Sequence, residues 1–335
     1  CARVRRNPDS ARTPRLVSDD ASPAIGGRLL ALAARALVGL VRRLPRQTAL
    51  DLAGRAGRGY ARLGGPRTSV ARVNLRIAFP EWTEARRRGV LAASYANLAR
   101  SFIELALLSR GDAEELRRLV SVEGLEHLEA ARRESKTGGV IGLTSHLGSW
   151  ELLAPTMVAY GHPVTLVQRT RDNPMIEELV TSLRGRGGSE LFARGSAARA
   201  SLRALKEGKI FALIYDQNCS REEGVFVPFF GRLACTRSGP PRLAMHTGAP
   251  VLPVFIEREA GSARHRVRIH PALEILPAGD DREAAIRENA RRMTQAIEEE
   301  IRRVPDHWIW GHRRWRTQPK GEPKPYPSRR RSLIR

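Results

Sequence analysis

Lysine and cysteine are scarce in this chain, and long apolar runs are missing. Of 58 basic residues only five are lysines (Lys136, Lys206, Lys209, Lys320 and Lys324), so nearly all the positive charge is guanidinium. The three cysteines, Cys1, Cys219 and Cys235, form no close pair in the sequence and no ligand-type spacing. That argues against a disulfide framework and a zinc site, and it fits a reducing compartment. No uninterrupted apolar stretch approaches the ~20 residues that a spanning helix needs. The most apolar stretch, 24–44, is broken by Arg28 and Arg35. There is no G-x4-G-K-[ST] phosphate loop, no usable G-x-G-x-x-G and no H-E-x-x-H. A G-x-S-x-G elbow is also missing, and no solenoid-length repeat is present. No bound cofactor or metal follows from the residues.

What is present reads as a large globular chain. It has 335 residues, 41% hydrophobic and 28% charged, with a net charge of +23. Such an excess attracts nucleic acid, an anionic membrane or an acidic protein. Arg-rich codon usage is the alternative explanation of the count. Arg329-Arg330-Arg331 keeps a nucleic-acid binder among the alternatives. Against it, the basic residues are dispersed and no recognition motif accompanies them.

The first 23 residues are polar and are expected to be disordered, and Cys1 is not expected to carry a lipid. In 24–44, Arg28, Arg35 and Arg42 recur every seven residues, on one helical face among Leu, Ala, Val and Gly. This reads as a helix lying in a membrane interface with guanidinium groups toward phosphates. An amphipathic helix packed on the protein also fits. Further helical patterns cover 47–63, 69–77 and 83–108, the last with a stripe of Leu91, Tyr95, Leu98, Phe102, Leu105 and Leu108.

From about 120 the texture changes. Apolar strand-like runs (138–144, 163–168, 209–215, 225–230, 251–256) alternate with helical patterns (124–134, 149–160, 174–186, 196–207, 237–247). Residues 264–276 alternate basic and apolar positions as a half-exposed edge strand does, and a final helix covers 281–303. The expected fold is α/β, a mostly parallel central sheet flanked by helices and preceded by an all-helical N-terminal region. The expected divisions are a disordered 1–23, a helical membrane-associating 24–118, an α/β core 119–318 and a mobile basic tail 319–335.

The chain is organised around Gly138 to Pro155, GGVIGLTSHLGSWELLAP. A buried strand ends near Thr144, Gly148 permits a tight turn, and Ser149 caps a helix starting at Trp150. His146 then lies at a strand's carboxyl end, where open α/β sheets bind ligands, and Glu151 lies in the first helical turn. Across the turn the carboxylate can fold back onto the imidazole, fixing its tautomer and leaving the other nitrogen basic. A satisfied, partly buried histidine beside a glutamate at a helix N-terminus fits the same residues.

The stretch resembles the H-x4-D/E motif of glycerolipid-type acyltransferases, and in particular the lipid A biosynthesis lauroyl/myristoyl acyltransferase family. Other segments resemble that family in the same order. They are Val73-Asn74-Leu75 through Phe79-Pro80-Glu81, Asp216-Gln217-Asn218, the run from Gly224 to Gly231, Thr247-Gly248-Ala249-Pro250, and Trp310-Gly311-His312-Arg313-Arg314-Trp315. The resemblance covers about 28–318.

It implies an acyltransferase with His146 as general base on a hydroxyl and Glu151 orienting the ring. The donor it implies is an acyl thioester, on acyl carrier protein. The acceptor is a glycolipid of the lipid A precursor type, at the cytoplasmic face of a bacterial inner membrane. Another glycolipid, such as a phosphatidylinositol mannoside, is an alternative acceptor. Arg169, after the strand ending at Gln168, matches the family's arginine there and is a substrate contact able to bind phosphate or carboxylate bidentately.

Asp216, Gln217 and Asn218 end another strand. They serve turn chemistry or form a polar cleft wall that holds a sugar hydroxyl or buttresses the histidine. The family often has Asp where Asn218 stands, which puts a metal or acid role there in doubt. Phe226, Phe229 and Phe230 are either core or a wall for an acyl chain. Trp308, Trp310 and Trp315 with Arg313 and Arg314 suit a membrane–water boundary, a phosphate contact or a C-terminal clasp. Arg171 and Arg194 are candidates for docking an acidic carrier protein. The oxyanion of such a reaction needs a donor, and the sequence singles none out.

Overall fold

The computed structural model describes residues 25–108, 113–168 and 173–326. The segment 1–23 and residues 327–335 of the basic tail lie outside the described residues. Four helices come first: α1 (Ile25–Val41), α2 (Arg46–Arg62), α3 (Thr68–Ala78) and α4 (Glu84–Leu107). Thr83 caps α4 by accepting from Arg86 N at 3.2 Å, with Glu84 favourably placed in the first turn. α2 packs so closely on α4 that a Cβ on Gly57 would lie 2.3 Å from the Tyr95 carbonyl oxygen, so only glycine fits there. α1 buries Ala31 and Val41, yet Leu29, Leu30, Leu32, Leu37 and Leu40 stay 55–62% exposed. No helix among the described residues is long and apolar enough to cross a membrane.

The remainder alternates strand and helix. It runs α5 (Ala113–Leu119), β1 (Val120–Glu123), α6 (Leu125–Glu134), β2 (Val140–Thr144), α7 (Trp150–Ala159), β3 (Val164–Gln168) and α8 (Pro174–Gly185). Then come β4 (Glu190–Ala193), α9 (Ala197–Lys206), β5 (Ile210–Ile214), β6 (Gly224–Phe229) and β7 (Arg232–Arg237). The chain continues with α10 (Gly239–Thr247), β8 (Val251–Arg258), β9 (His265–Ile269) and α11 (Arg282–Arg303). Seven strands form one sheet in the order β1-β9-β8-β2-β5-β3-β4. The five from β8 to β4 are parallel, and β9 runs antiparallel to β8. Leu116, Leu128, Leu153 and Met157 from α5–α7 cover one face. Leu75, Leu205, Ala244 and Met293, from α3 and α9–α11, cover the other.

The α/β sheet with a helical N-terminal region is the expected fold, with three differences. β9 is not the edge strand, because β1 pairs beyond it. Its Arg266 and Arg268 are indeed part-exposed, held by Glu123 and Glu257. The run 225–230 is not in the main sheet but pairs with β7 as a separate hairpin. Residues 319–326 lie on the body: the Tyr326 hydroxyl donates to Asn74 Oδ1 at 2.6 Å, and Arg232 donates to the Pro323 carbonyl at 2.7 Å.

One buried cluster joins the helical region to the sheet. Glu104 of α4 takes both Arg258 guanidinium nitrogens (2.5 and 2.7 Å) and His265 Nε2 (2.8 Å), and it accepts the Ser149 hydroxyl. Burial alone would raise the Glu104 pKa. His265 and Arg258 outweigh burial and bring it down to about 2. A carboxylate depressed on folding stabilises the protein above its ordinary value of 4.5, and that stability is lost as pH falls toward 2. Glu104→Ala takes the carboxylate from the buried Arg258 cation and is expected to cost ~3–5 kcal/mol in urea denaturation at neutral pH. A change below ~1 kcal/mol would show that the cluster does not hold the two regions together.

Candidate active site

β2 and β5 are parallel neighbours in register, with Thr144 beside Ile214. Tyr215 N donates to the Thr144 carbonyl at 3.0 Å, extending the pairing past both strand ends. Two residues beyond each end, His146 and Asp216 therefore stand side by side. Asp216 Oδ1 is 2.8 Å from His146 Nδ1, and its Oδ2 accepts from His146 N at 2.9 Å. Trp308 Nε1 donates to the same Oδ2 at 2.8 Å. The ionised carboxylate is an acceptor only, so Nδ1 carries the proton and Nε2 keeps its lone pair. Gln217 Nε2 lies 3.4 Å from that nitrogen, placed to donate to its lone pair. Burial would depress the histidine's pKa, but the Asp216 charge and hydrogen bond, with Glu151 behind them, hold it above the ordinary 6.5. Asp216 in turn stays well below the usual carboxylate range despite its burial.

The turn after His146 is fixed by backbone contacts. Gly148 adopts φ 61°, and a Cβ there would lie 1.8 Å from the Ile256 carbonyl oxygen, so only glycine is tolerated. Gly148 N donates to the His307 carbonyl at 2.9 Å, and Ile309 N donates to that of His146 at 3.2 Å. The C-terminal strap, 304–318, thus lies as a short ladder against the turn that carries His146. Trp308, Trp310 and Trp315 are at most 1% exposed. They form the clasp and do not face a membrane–water boundary.

Glu151 does not fold back onto the imidazole. It sits in the first turn of α7 and is gripped by Arg184 of α8, Nε to Oε2 at 2.8 Å and a terminal nitrogen to Oε1 at 2.6 Å. Arg184 also donates to Gln168 Oε1 at 3.1 Å. The ring's hydrogen-bond partner is Asp216 because in-register neighbouring strands bring it closer than the local turn brings Glu151. Glu151 still lines the same cavity as His146 and acts on it through its charge.

That cavity has a volume of about 1100 Å³. Its polar mouth carries His146, Glu151, Arg184, Gln217, Asn218 and His312. On the sheet face beneath α7, Gly142 and Ala212 are register partners, and their small side chains leave an apolar hollow walled by Leu153, Met157 and Leu166. Asp216 is buried behind His146. Arg169 and Arg171 lie outside the described residues, and Arg194 begins the 3₁₀ turn after β4. Neither Phe226 nor Arg313 lines the cavity: Phe226 pairs with Cys235 in the hairpin, and Arg313 stacks 5.9 Å from the Tyr326 ring. Phe229 and Phe230 are core.

Arg184 and the indole of Trp308 escaped the sequence reading, since no local pattern sets an α8 arginine or a strap tryptophan against a strand end. The two cysteines scattered in the sequence meet in space, Cys219 and Cys235 being buried with sulfurs 3.6 Å apart. Among the described residues no group of three or more His, Cys, Asp or Glu side chains is placed to hold a metal ion. What the mouth offers is a base aimed into a cavity that is part polar and part apolar.

Comparison with known proteins gives a consistent result. The family described as bacterial lipid A biosynthesis acyltransferase matches residues 25–317. The chain is 30% identical over 261 residues to the lipid A biosynthesis palmitoleoyltransferase of Escherichia coli (strain K12), covering 78% of this chain and 82% of that one. It is 29% identical over 254 residues to a lipid A biosynthesis acyltransferase of Haemophilus influenzae, covering 75% and 76%. It is 27% identical over 304 residues to the E. coli lipid A biosynthesis myristoyltransferase, covering 91% of each.

The geometry fixes an outcome for the imidazole itself. In a ¹⁵N NMR titration His146 is expected to protonate with a midpoint above 6.5, and Asp216→Asn is expected to lower that midpoint by about 1–3 units. An unchanged midpoint in the variant would mean that the carboxylate does not govern the ring.

Proposed function

The chain belongs to the bacterial lipid A biosynthesis acyltransferase family, and from that premise we propose that it moves a fatty acyl group from an acyl thioester to a hydroxyl of a lipid A precursor. The observation that carries the mechanism is the His146–Asp216 pair. It presents a basic Nε2 to a cavity with an apolar hollow beside it. The acceptor hydroxyl gives its proton to Nε2 as its oxygen attacks the thioester carbonyl. The imidazolium formed is stabilised by Asp216. Collapse of the tetrahedral intermediate expels the thiolate, which takes the proton back from His146. Direct attack needs no serine or cysteine nucleophile. The acyl chain occupies the hollow over Gly142 and Ala212, where apolar walls exclude water.

The donor in this reading is an acyl carrier protein, an acidic partner for a chain of net +23 whose cavity rim includes Arg237, Arg242 and Arg282. Complementary charge speeds encounter mainly at low salt. Transfer to a lipid A precursor should therefore be faster from the carrier-protein thioester than from the coenzyme A thioester of the same chain. Its kcat/KM should fall steeply with salt while kcat changes little. His146→Ala and Asp216→Asn are each expected to lower turnover at least ~10²-fold in folded protein. Near-normal turnover in His146→Ala would sink the mechanism, and equal use of both donors would remove the carrier protein from it.

The reading places the enzyme on the cytoplasmic face of the inner membrane, attached through α1. The support is the exposed leucine surface of that helix. The arginine face is a weaker candidate, because Arg42 Nε donates to the Ala106 carbonyl at 2.9 Å and Arg35 pairs with Glu178 at 2.8 Å. Reversing those charges would also undock the helix from the protein. The cleaner variant changes Leu29, Leu37 and Leu40 to Gln, all exposed and so of little weight in folding. Burying each leucine in lipid contributes ~1.5–3 kcal/mol at most, so co-sedimentation with phosphatidylglycerol–phosphatidylethanolamine vesicles should drop at least ~10-fold. Unchanged sedimentation would mean that attachment lies elsewhere.

A further inference from the structure

His312 lines the same cavity as His146, and no step above uses it. Its backbone is held by the strap: its carbonyl accepts from Asn74 Nδ2 at 2.6 Å and from Arg314 N at 2.9 Å. Its ring is held by a peptide group, with Nε2 3.0 Å from Asn218 N. A peptide N–H only donates, so Nε2 must present its lone pair and the ring proton must reside on Nδ1. The tautomer is therefore set by a partner that cannot reverse its role. Nδ1 has no hydrogen-bond partner among the described residues and is not among their fully buried, unpaired polar atoms, so it keeps some access to solvent. It is an unpaired N–H on a residue that lines the chamber of His146.

We infer that neutral His312 donates from Nδ1 to the thioester carbonyl oxygen, supplying the oxyanion donor for the acyl transfer proposed above, on which this assignment rests. As His146 Nε2 takes the hydroxyl proton and the new C–O bond forms, the carbonyl π electrons move onto the oxygen. The Nδ1–H stabilises that charge without transferring its proton. When the C–S bond breaks, the electron pair returns and the hydrogen bond weakens.

A neutral imidazole suits this task, since it polarises a carbonyl without competing as a base. The surroundings keep it neutral. Burial lowers its pKa most, Arg314, His146 and Arg67 lower it further, and Asp216 opposes them, for a value of about 4. Protonating Nε2 would also press an N–H against that of Asn218.

Two substitutions separate donation from mere support of Asn218. His312→Asn sets an amide N–H near the position of Nδ1 but does not reach Asn218. His312→Gln reaches Asn218 with its carbonyl oxygen and leaves the Nδ1 position empty. Donation predicts that the Asn variant keeps kcat within ~10-fold, while the Gln variant loses ~10²–10³-fold in kcat with KM little changed. The reverse order would reduce His312 to a prop and overturn the assignment.

A measurement independent of turnover uses ¹⁵N-labelled histidine, with His312 assigned by the signal lost in His312→Asn. The Nδ1–H tautomer should persist down to about pH 5. An Nε2–H tautomer, or a midpoint near the ordinary 6.5, would refute the inference. Wild-type protein that transfers no acyl group from any thioester would instead bring down the acyl-transfer reading itself, and with it the carbonyl oxygen as the partner of Nδ1.

Discussion

Two oxygens of Asp216 receive three donors: the imidazole Nδ1–H, the backbone N–H of the same histidine, and the indole of Trp308. A carboxylate this deeply buried is tolerated only because those bonds replace the water it lost. The same bonds set most of the site. One fixes the tautomer of His146, another fixes where its backbone leaves the strand, and the third recruits the C-terminal strap. The strap in turn carries His307 and Ile309, whose backbones pair with the turn after His146, and His312, whose ring takes the amide of Asn218. Two residues past the ends of β2 and β5, a single in-register pairing therefore organises segments that are up to about 170 residues apart in the chain.

That pairing also explains which parts of the molecule were legible in the sequence. The main helices and most of the longer strands follow from local patterns, because an apolar run between glycines or a three-to-four repeat needs no knowledge of the rest of the chain; the six-residue β7, with a sequence of RLACTR, offers no such run and was missed. Val120–Glu123 and Glu190–Ala193 are four-residue strands with mixed exposure, and runs so short carry no period. Likewise β9 looks like an edge from its alternating arginines, but Glu123 and Glu257 beside them make that pattern compatible with an interior strand. His146 could be found because its strand, turn and helix are contiguous. Its true partner could be named only as one alternative for Asp216, because strand order is not written in either segment.

Glu151 occupies a different place from the one its spacing suggested. Its charge and that of Arg184 act on His146 in opposite directions, the first raising its pKa and the second lowering it. The bidentate pair is therefore a balanced electrostatic neighbour. It also ties the first turn of α7 to α8, and Ser149, two residues earlier, is tied to Glu104 and Arg258. The short segment between base and glutamate is thus anchored on both sides by buried carboxylate–guanidinium contacts. Such anchoring holds the His146 ring in place without requiring the glutamate to touch it.

The two histidines of the cavity show how one carboxylate serves opposite ends. Asp216 raises both rings, yet His146 ends above its ordinary value and His312 well below. The difference is contact. Asp216 hydrogen-bonds the first ring directly, so the imidazolium is stabilised as it forms. The second ring meets Asp216 only through space and meets a peptide N–H directly, which accepts no proton and rejects the cation. Burial then outweighs Asp216 on His312 and is overcome on His146. A proton acceptor and a neutral hydrogen-bond donor can therefore coexist at the same pH in one chamber, and direct hydrogen bonding sets which ring is which.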